Sequence, residues 1–286
     1  MNHIGMKFSL FTDYGSLNSK PVFDAFANGA RLLGHDIVFN DYDCDVPVIW
    51  SVLWNGRMSK NRTVWQFFRQ QGRPVVVLEV GGLKRNSTWK VGINGINRDA
   101  YFGSSGNSSS RFEGLGLELK PWKTDNTGDI LFCTQHDKSQ QLANISQSNL
   151  ILKTIEHIRK QTSKRIILRP HPRCPLPAIE YEFENVVRQE PRQIINTYDD
   201  YDFDLTNVYL VYSFSSNPGL QSAMQGVPVC VSEHSLAYDV SNDWFGDINN
   251  LKYPDRQQWA NDLAYTEWTI EEISTGNPLK RLTSSL

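Results

Sequence analysis

RIILRPHPR, Arg165 to Arg173, sets a short apolar run directly against two prolines, a histidine and two arginines. A run such as RIIL reads as a strand buried on both faces of a parallel sheet. In an open α/β sheet, ligands bind outside the carboxyl ends of the strands. Arg169, His171 and Arg173 therefore stand where a ligand would be met. Prolines 170 and 172 predict an extended backbone, which turns alternate side chains to one side. Arginine in such a place suits bidentate contact with phosphate; a polar strand exit capped by surface arginines is the plainer alternative.

The neighbouring segments fit a parallel sheet. DILFCTQ (129–135) reads as a strand, residues 144–161 as a helix, QIINTY (193–198) and NVYLVYS (207–213) as strands, 218–225 as a helix and VPVCVS (227–232) as a strand. Before the polar stretch KTDNTGD (123–129), which reads as a linker, a similar alternation runs from residue 6. MKFSLF, HDIVFN, VPVIWSVLW and PVVVLEV are its strands, and helical spacing closes at Gly34 and at Gly72. Strand–helix alternation of this kind predicts an α/β protein. We expect two Rossmann-like domains facing a central cleft, an N-terminal one over 1–122 and a C-terminal one over 123–286. Residues 255–273 are expected as an amphipathic helix, with the C-terminal helices packing back toward the N-terminal domain. The serine-rich GSSGNSSSR (103–111) reads as a mobile loop rather than a phosphate nest.

At 286 residues, 40% hydrophobic and 21% charged, the chain has apolar material for two cores. It contains no apolar run near the ~20 residues of a membrane span, and its start lacks the pattern of a secretory signal. Cys44, Cys133, Cys174 and Cys230 are widely spaced with no CxxC pair, which suggests neither a disulfide framework nor a zinc ribbon. A cytoplasmic protein is expected, in the host cytoplasm if it is viral. The net charge is −2, yet residues 55–98 hold nine basic residues against the single acid Glu79. Such asymmetry points to a polyanionic partner for one part of the surface.

A second motif lies downstream. In SFSSNPGLQSAMQGVPV (213–229) a strand ends in serines, Pro218 opens a helix and Gly226 closes it. The hydroxyls of Ser213, Ser215 and Ser216, with the free N–H groups at Asn217, would make an anion site at the positive end of the helix. A structural N-cap at Ser216 or Asn217 accounts for only one of those hydroxyls.

Together, RPHPR and SFSSNPGLQSAMQGVPV resemble the donor-binding half of GT-B glycosyltransferases, most closely the Kdo-transferase-like and capsule-synthesis branches. The resemblance covers about 80 residues. It implies a nucleotide-sugar co-substrate and no other cofactor, with Arg169, His171, Arg173, Ser215, Ser216 and Gln221 near the donor phosphates. The glutamate usual in the helix after the serines is absent; Gln221 or Ser222 stands near that point. His136, after the DILFCTQ strand, is the other histidine placed at the cleft.

An inverting transferase needs a general base for the acceptor hydroxyl, and cations to stabilise the leaving phosphate. Asp13, in the loop after the first strand, and Glu79, before Gly81-Gly82, are the two candidates. The plainer readings are an Asx-turn for Asp13 and an ion pair with Lys84 or Arg85 for Glu79. Related transferases carry an acid followed by glycine at a similar place. No HExxH motif or clustered histidine is present, so metal-independent chemistry is expected.

Arg57, Lys60, Arg62, Lys84 and Arg85, interleaved with Trp54, Trp65, Phe67, Phe68 and Trp89, suit a phosphate backbone with an exposed base. In size and charge map the chain also resembles phage DNA glucosyltransferases. A hydroxymethylated pyrimidine in DNA is therefore the favoured acceptor, met unpaired or extruded from the duplex. A capsule or lipopolysaccharide glycan is the alternative. A nucleotide-sugar epimerase, or a non-catalytic nucleic-acid-binding protein, would use only part of these features.

Overall fold

The structure, a computed structural model, describes residues 5–197 and 199–286. The chain forms two compact units, Met1–Asn107 with Asp262–Leu286, and Ser108–Asn261. The break at 107/108 lies before the expected boundary at 122/123, because residues 120–123 are bonded into the second unit. There the Lys120 N–H donates to the Met224 carbonyl (3.0 Å) and the Lys123 N–H to that of Gly226 (2.7 Å). Arg256 covers the Trp122 ring at 3.7 Å.

The first unit opens with β1 (Lys7–Leu10), α1 (Lys20–Leu32), β2 (Asp36–Phe39), β3 (Val46–Trp50), α2 (Asn61–Gln70), β4 (Val76–Val80) and β5 (Trp89–Ile93). The second contains α3 (Ser110–Gly114), β6 (Asp129–Cys133), α4 (Gln147–Arg159), β7 (Ile166–Arg169), β8 (Val186–Arg188), β9 (Val208–Ser213), α5 (Asn217–Met224) and β10 (Val229–Cys230). At α6 (Gln257–Leu263) the chain passes back to the first unit, which it completes with β11 (Glu267–Trp268), α7 (Ile270–Ser274) and α8 (Asn277–Leu282).

In the first unit the strand order is β11-β5-β4-β3-β1-β2. β2, β1, β3 and β4 pair in parallel, while β5 and β11 are antiparallel to their neighbours. Every residue of β3 is buried, as expected of a strand covered on both faces. Val46, Val48 and Trp50 pack with Phe23 and Phe26 of α1, and with Ile273 and Leu279 of α7 and α8. Ile49 points the other way, toward Val64 and Phe68 of α2.

In the second unit all five strands are parallel, in the order β10-β9-β6-β7-β8. One face packs on Ile151, Ile155 and Ile158 of α4; the other meets Ala223 of α5, Val227 and Trp259. From β6 the chain moves to β7 on one side and later returns to β9 on the other. β6 and β9 therefore flank a topological switch point, the place where open sheets bind ligands. Among the described residues no helix is long and apolar enough to cross a membrane.

Three expectations are corrected. QIINTY forms no strand among its described residues; a lone bridge joins Gln193 to Tyr201, and Tyr198 lies outside the described residues. Residues 255–273 are not one helix: α6 stops at Leu263, β11 extends the first sheet, and Thr269 opens α7 through a capping box with Glu272. The segment 103–111 is not one loop: the N–H groups of Gly106 and Asn107 donate to the Asp262 carboxylate at 3.1 and 2.8 Å within the first unit, and Ser110 already opens α3 of the second.

The return segment seats closely on α1. A Cβ at Gly29 would fall inside the radius of the Ile273 carbonyl oxygen and 2.8 Å from the Gly276 nitrogen. Gly29→Ala should therefore force α1 and α7 apart, at a cost of about 1–3 kcal/mol typical of overpacking. Denaturant unfolding checks this; unchanged stability would mean the contact yields freely.

Candidate functional site

In the second unit, the five parallel strands all end at one edge of the sheet, and a loop leaves each. After β6, Thr134, Gln135 and His136 are buried. The Gln135 carboxamide oxygen accepts from both the N–H (3.0 Å) and the hydroxyl (2.9 Å) of Ser215, at the exit of β9. Its Nε2 donates to Ser139 Oγ at 2.5 Å. Gln135 thus pins the two loops that flank the switch point. After β7, the His171 N–H donates to Thr134 Oγ1 at 3.1 Å, and the His171 ring lies edge-on to that of His136 with centroids 5.2 Å apart. Burial lowers the His136 pKa against the opposing pull of Asp137, which favours the neutral ring.

Arg169, His171 and Arg173 do not line one side of an extended strand. The Cys174 N–H returns to the His171 carbonyl at 2.9 Å and closes a turn over 171–174. Arg169 is buried; it donates to the backbone carbonyl of Asp202 and to its carboxylate, the latter at 3.1 Å. Arg173, whose side chain is 40% exposed, is ion-paired with Asp199. Two acids of the β8–β9 connection thus already occupy both arginines. Of the three, His171 is the one that reaches the switch-point cluster.

The serines divide in the same way. Ser213 is fully buried, and its hydroxyl meets that of Ser216 at 2.9 Å. With Ser215 engaged by Gln135, Ser213 and Ser215 shape the loop rather than facing a ligand. Ser216 is the half-buried N-cap of α5, extended in backbone and without a side-chain capping bond. Asn217 and Gln221, in the first turns of α5, are also half-buried. Gly219 lets α5 approach β10, since a Cβ there would stand 2.9 Å from Val231 Cγ1.

At the ends of β9 and β10 is an open cavity of about 380 Å³, which Phe214, two residues before the N-cap of α5, helps to line. Phe214, His234 and Trp244 give it aromatic walls, and Glu233 and Asp243 add carboxylates. Its size and lining are those of small-molecule sites. Sequence reading missed both the cavity and Gln135. Gln135 was findable as the polar residue that immediately follows a buried strand.

The topology also assembles a trio that spacing concealed. His136, Asp137 and Cys174 place one ligand atom each within 4.8 Å of one another, a grouping that their spacing in the sequence does not announce. Such a trio suits a soft divalent cation. The Lys138 ammonium, 3.2 Å from the Asp137 carboxylate, opposes one.

In the first unit, Asp13 and Glu79 both lie at the carboxyl edge of the parallel strands. Asp13 is exposed in a 3-10 turn after β1; its N–H is taken by Asn40 Oδ1 (3.2 Å), and its carbonyl accepts from Arg57 (3.3 Å). Glu79, near the end of β4, is half-buried and accepts from the Val80 N–H at 2.8 Å. Burial raises its pKa above the ordinary carboxylate range, against the Ser51 hydroxyl, the Val80 N–H, Lys90 and Arg85.

The basic segment is less available than its count suggests. Lys90 is 3% exposed. Arg73 donates to the carbonyls of Cys44 and Asp45 and lies over Phe68, while Arg69 donates to the Arg73 carbonyl. Arg57, Lys60, Arg62 and Lys84 are exposed and Arg85 half-buried, with the Lys60 ammonium 5.6 Å from the Tyr14 ring centre. Trp54 and Trp65 pack on the α2 core rather than forming a stacking platform.

Compared with solved structures, the chain is similar to Thermosulfurimonas dismutans KpsC, beta Kdo 2,7 transferase, with a TM-score of 0.54 and 15% identity over 96% of this chain and 99% of that one. It is similar to the beta Kdo 2,4 transferase of the same organism's KpsC, with a TM-score of 0.56 and 15% identity over 92% and 91%. No family model matches the sequence, and no curated protein matches it. The resemblance to phage DNA glucosyltransferases gains no support from these likenesses. The chain shares the Rossmann-like α/β fold of GT-B glycosyltransferases.

Proposed function

We propose that the chain is a glycosyltransferase that moves a sugar from a nucleotide-sugar donor to a hydroxyl of an anionic surface glycan. The observation that carries this reading is the carboxyl edge of the second sheet, where an aromatic cavity with two carboxylates is lined by Phe214, two residues before the N-cap of α5. The cavity takes the nucleoside: aromatic walls hold a base, and Glu233 or Asp243 accepts from amino or hydroxyl groups. The diphosphate or monophosphate lies toward the start of α5, where N–H groups and the helix dipole favour an anion. His171 and Arg173 supply further donors, and Ser216, Asn217 and Gln221 border the same place. Arg169 keeps its bond to Asp202 and holds the loop.

The proton of the acceptor hydroxyl goes to Glu79, whose half-buried position raises its basicity. Asp13, exposed at the same edge, is the matched control. Attack by the hydroxyl oxygen on the anomeric carbon breaks the bond to the phosphate, with inversion and with cationic side chains rather than a metal stabilising the leaving group. Retention in the product, read by NMR of its anomeric proton, would overturn the single-base scheme. The exposed Arg57, Lys60, Arg62 and Lys84, with Arg85, favour an anionic acceptor. They also sustain a second reading, DNA bearing hydroxymethylated pyrimidines.

Arg173→Ala should weaken binding of a suitable nucleotide sugar by about 1.5–3 kcal/mol, roughly ten- to hundredfold in Kd. Calorimetry over a donor panel measures this, and equal affinity for the variant would remove Arg173 from the donor site.

Glu79→Gln should leave donor affinity intact and lower turnover by on the order of 10²–10⁴. In the parent protein, turnover should fall with acidification from a pH above the usual carboxylate range, since the base must be ionised. A raised folded pKa also means that stability is lost as pH rises from the ordinary carboxylate value through the raised one. The Gln variant should accordingly be no less stable than the parent at neutral pH. Turnover near normal would shift the role to Asp13.

If the acceptor is DNA, the exposed cations would release counterions, and log affinity should fall by about 0.9 per phosphate neutralised for each unit of log salt. Four contacts would give a slope of about −4. Absence of measurable affinity for hydroxymethylated DNA at low salt leaves the glycan reading alone.

A further inference from the structure

On the face of the first sheet that carries α2, three charged side chains form one row across three strands. Glu79 of β4 stands opposite Lys90 of β5, and Lys90 stands opposite Glu267 of β11. Directly opposed residues of antiparallel strands project from the same face. Lys90 is 3% exposed and Glu267 fully buried, whereas Glu79 is half-buried at the edge. The row thus has one end that reaches outward and two members shut inside.

The inner end is built to hold a carboxylate. Glu267 accepts from the Gly82 N–H at 2.7 Å, the Leu83 N–H at 3.1 Å and the Thr88 hydroxyl at 2.7 Å. Gly81 leaves room for it, because a Cβ there would collide with the Glu267 carboxylate and the Thr88 carbonyl. A buried ammonium needs an anionic partner to remain charged. Lys90 has one on each flank, Glu267 exerting the larger pull and Glu79 the smaller, with Arg85 of the β4–β5 turn repelling it. Glu267 is satisfied by three uncharged donors besides, so its claim on Lys90 is shared.

We propose that Lys90 is a positioning residue for Glu79: it fixes the Glu79 carboxylate at the carboxyl end of β4 and supplies its counter-charge, while Glu267 divides that charge from the far side. The inference rests on the reading of Glu79 as proton acceptor. Glu79 is faced by Ser51 from the end of β3, by the Val80 N–H, by Lys90 and by Arg85. Loss of Lys90 leaves burial opposed by the remaining three and makes Glu79 harder to ionise. Loss of the Glu267 charge commits Lys90 wholly to Glu79 and makes it easier to ionise.

The test is a ¹³C NMR titration of the Glu79 carboxyl in the full chain, assigned by its disappearance in Glu79→Gln, together with the pH profile of turnover. Lys90→Met should move the Glu79 titration and the acid limb of turnover upward; Glu267→Gln should move both downward. A purely structural triad would lower stability without moving the Glu79 titration in opposite directions, and that result overturns the proposal. Should Lys90→Met fail to fold, Glu267→Gln decides alone: an unmoved or upward-shifted Glu79 titration overturns the proposal. If the titrations move as stated but Glu79→Gln retains full turnover, the proton-acceptor reading fails while the control of Glu79 by Lys90 stands.

Discussion

The buried carboxylate of Glu267 is the constraint on which the first unit turns. It lies far along the sequence from the turn it organises, yet its two oxygens take two backbone N–H groups and a hydroxyl of residues 82–88. That turn sets the antiparallel pairing of β4 with β5, and the pairing places Lys90 beside Glu79. A group of one sign buried without such donors would cost several kcal/mol. With them, it fixes register, charge and the return of the chain at once.

The second unit solves a similar problem with neutral groups. Gln135 joins the exits of β6 and β9 through a carboxamide, whose oxygen can accept twice while its nitrogen donates elsewhere. The loops that border the switch point are therefore held by bonds internal to the protein. What remains for a ligand is the aromatic cavity, the start of α5 and the half-buried side chains around it. Arg169, which looks available in the linear sequence, is buried and held by Asp202.

Much of this architecture was legible because it is local. Apolar runs of strand length, helical spacing and glycines at helix ends marked β3, β4, β6, β7 and β9, as well as α1, α2 and α5. The site was less legible, because charge partners are set by topology: nothing in RPHPR tells that Asp199 and Asp202 come to meet it. β11 was hidden because a two-residue strand has no periodicity of its own, and its flanks looked helical. The sequence did carry one unused signal there, Thr269 with Glu272, a capping box that announces a helix start in the middle of a supposed helix. The basic segment shows the opposite error: charge was counted correctly, but Lys90 and Arg73 are consumed inside the fold.

The division of the chain has a consequence for its biogenesis. Ser108–Asn261 is continuous, and it holds every strand of its own sheet. The first unit is not continuous: its edge strand, two of its helices and the carboxylate that closes the 82–88 turn all come from residues 262–286. During synthesis, when domains generally fold as units, the middle of the protein can complete itself first. The portion made earliest must wait with one face of its sheet covered by α1 alone until the last of its own parts has been made.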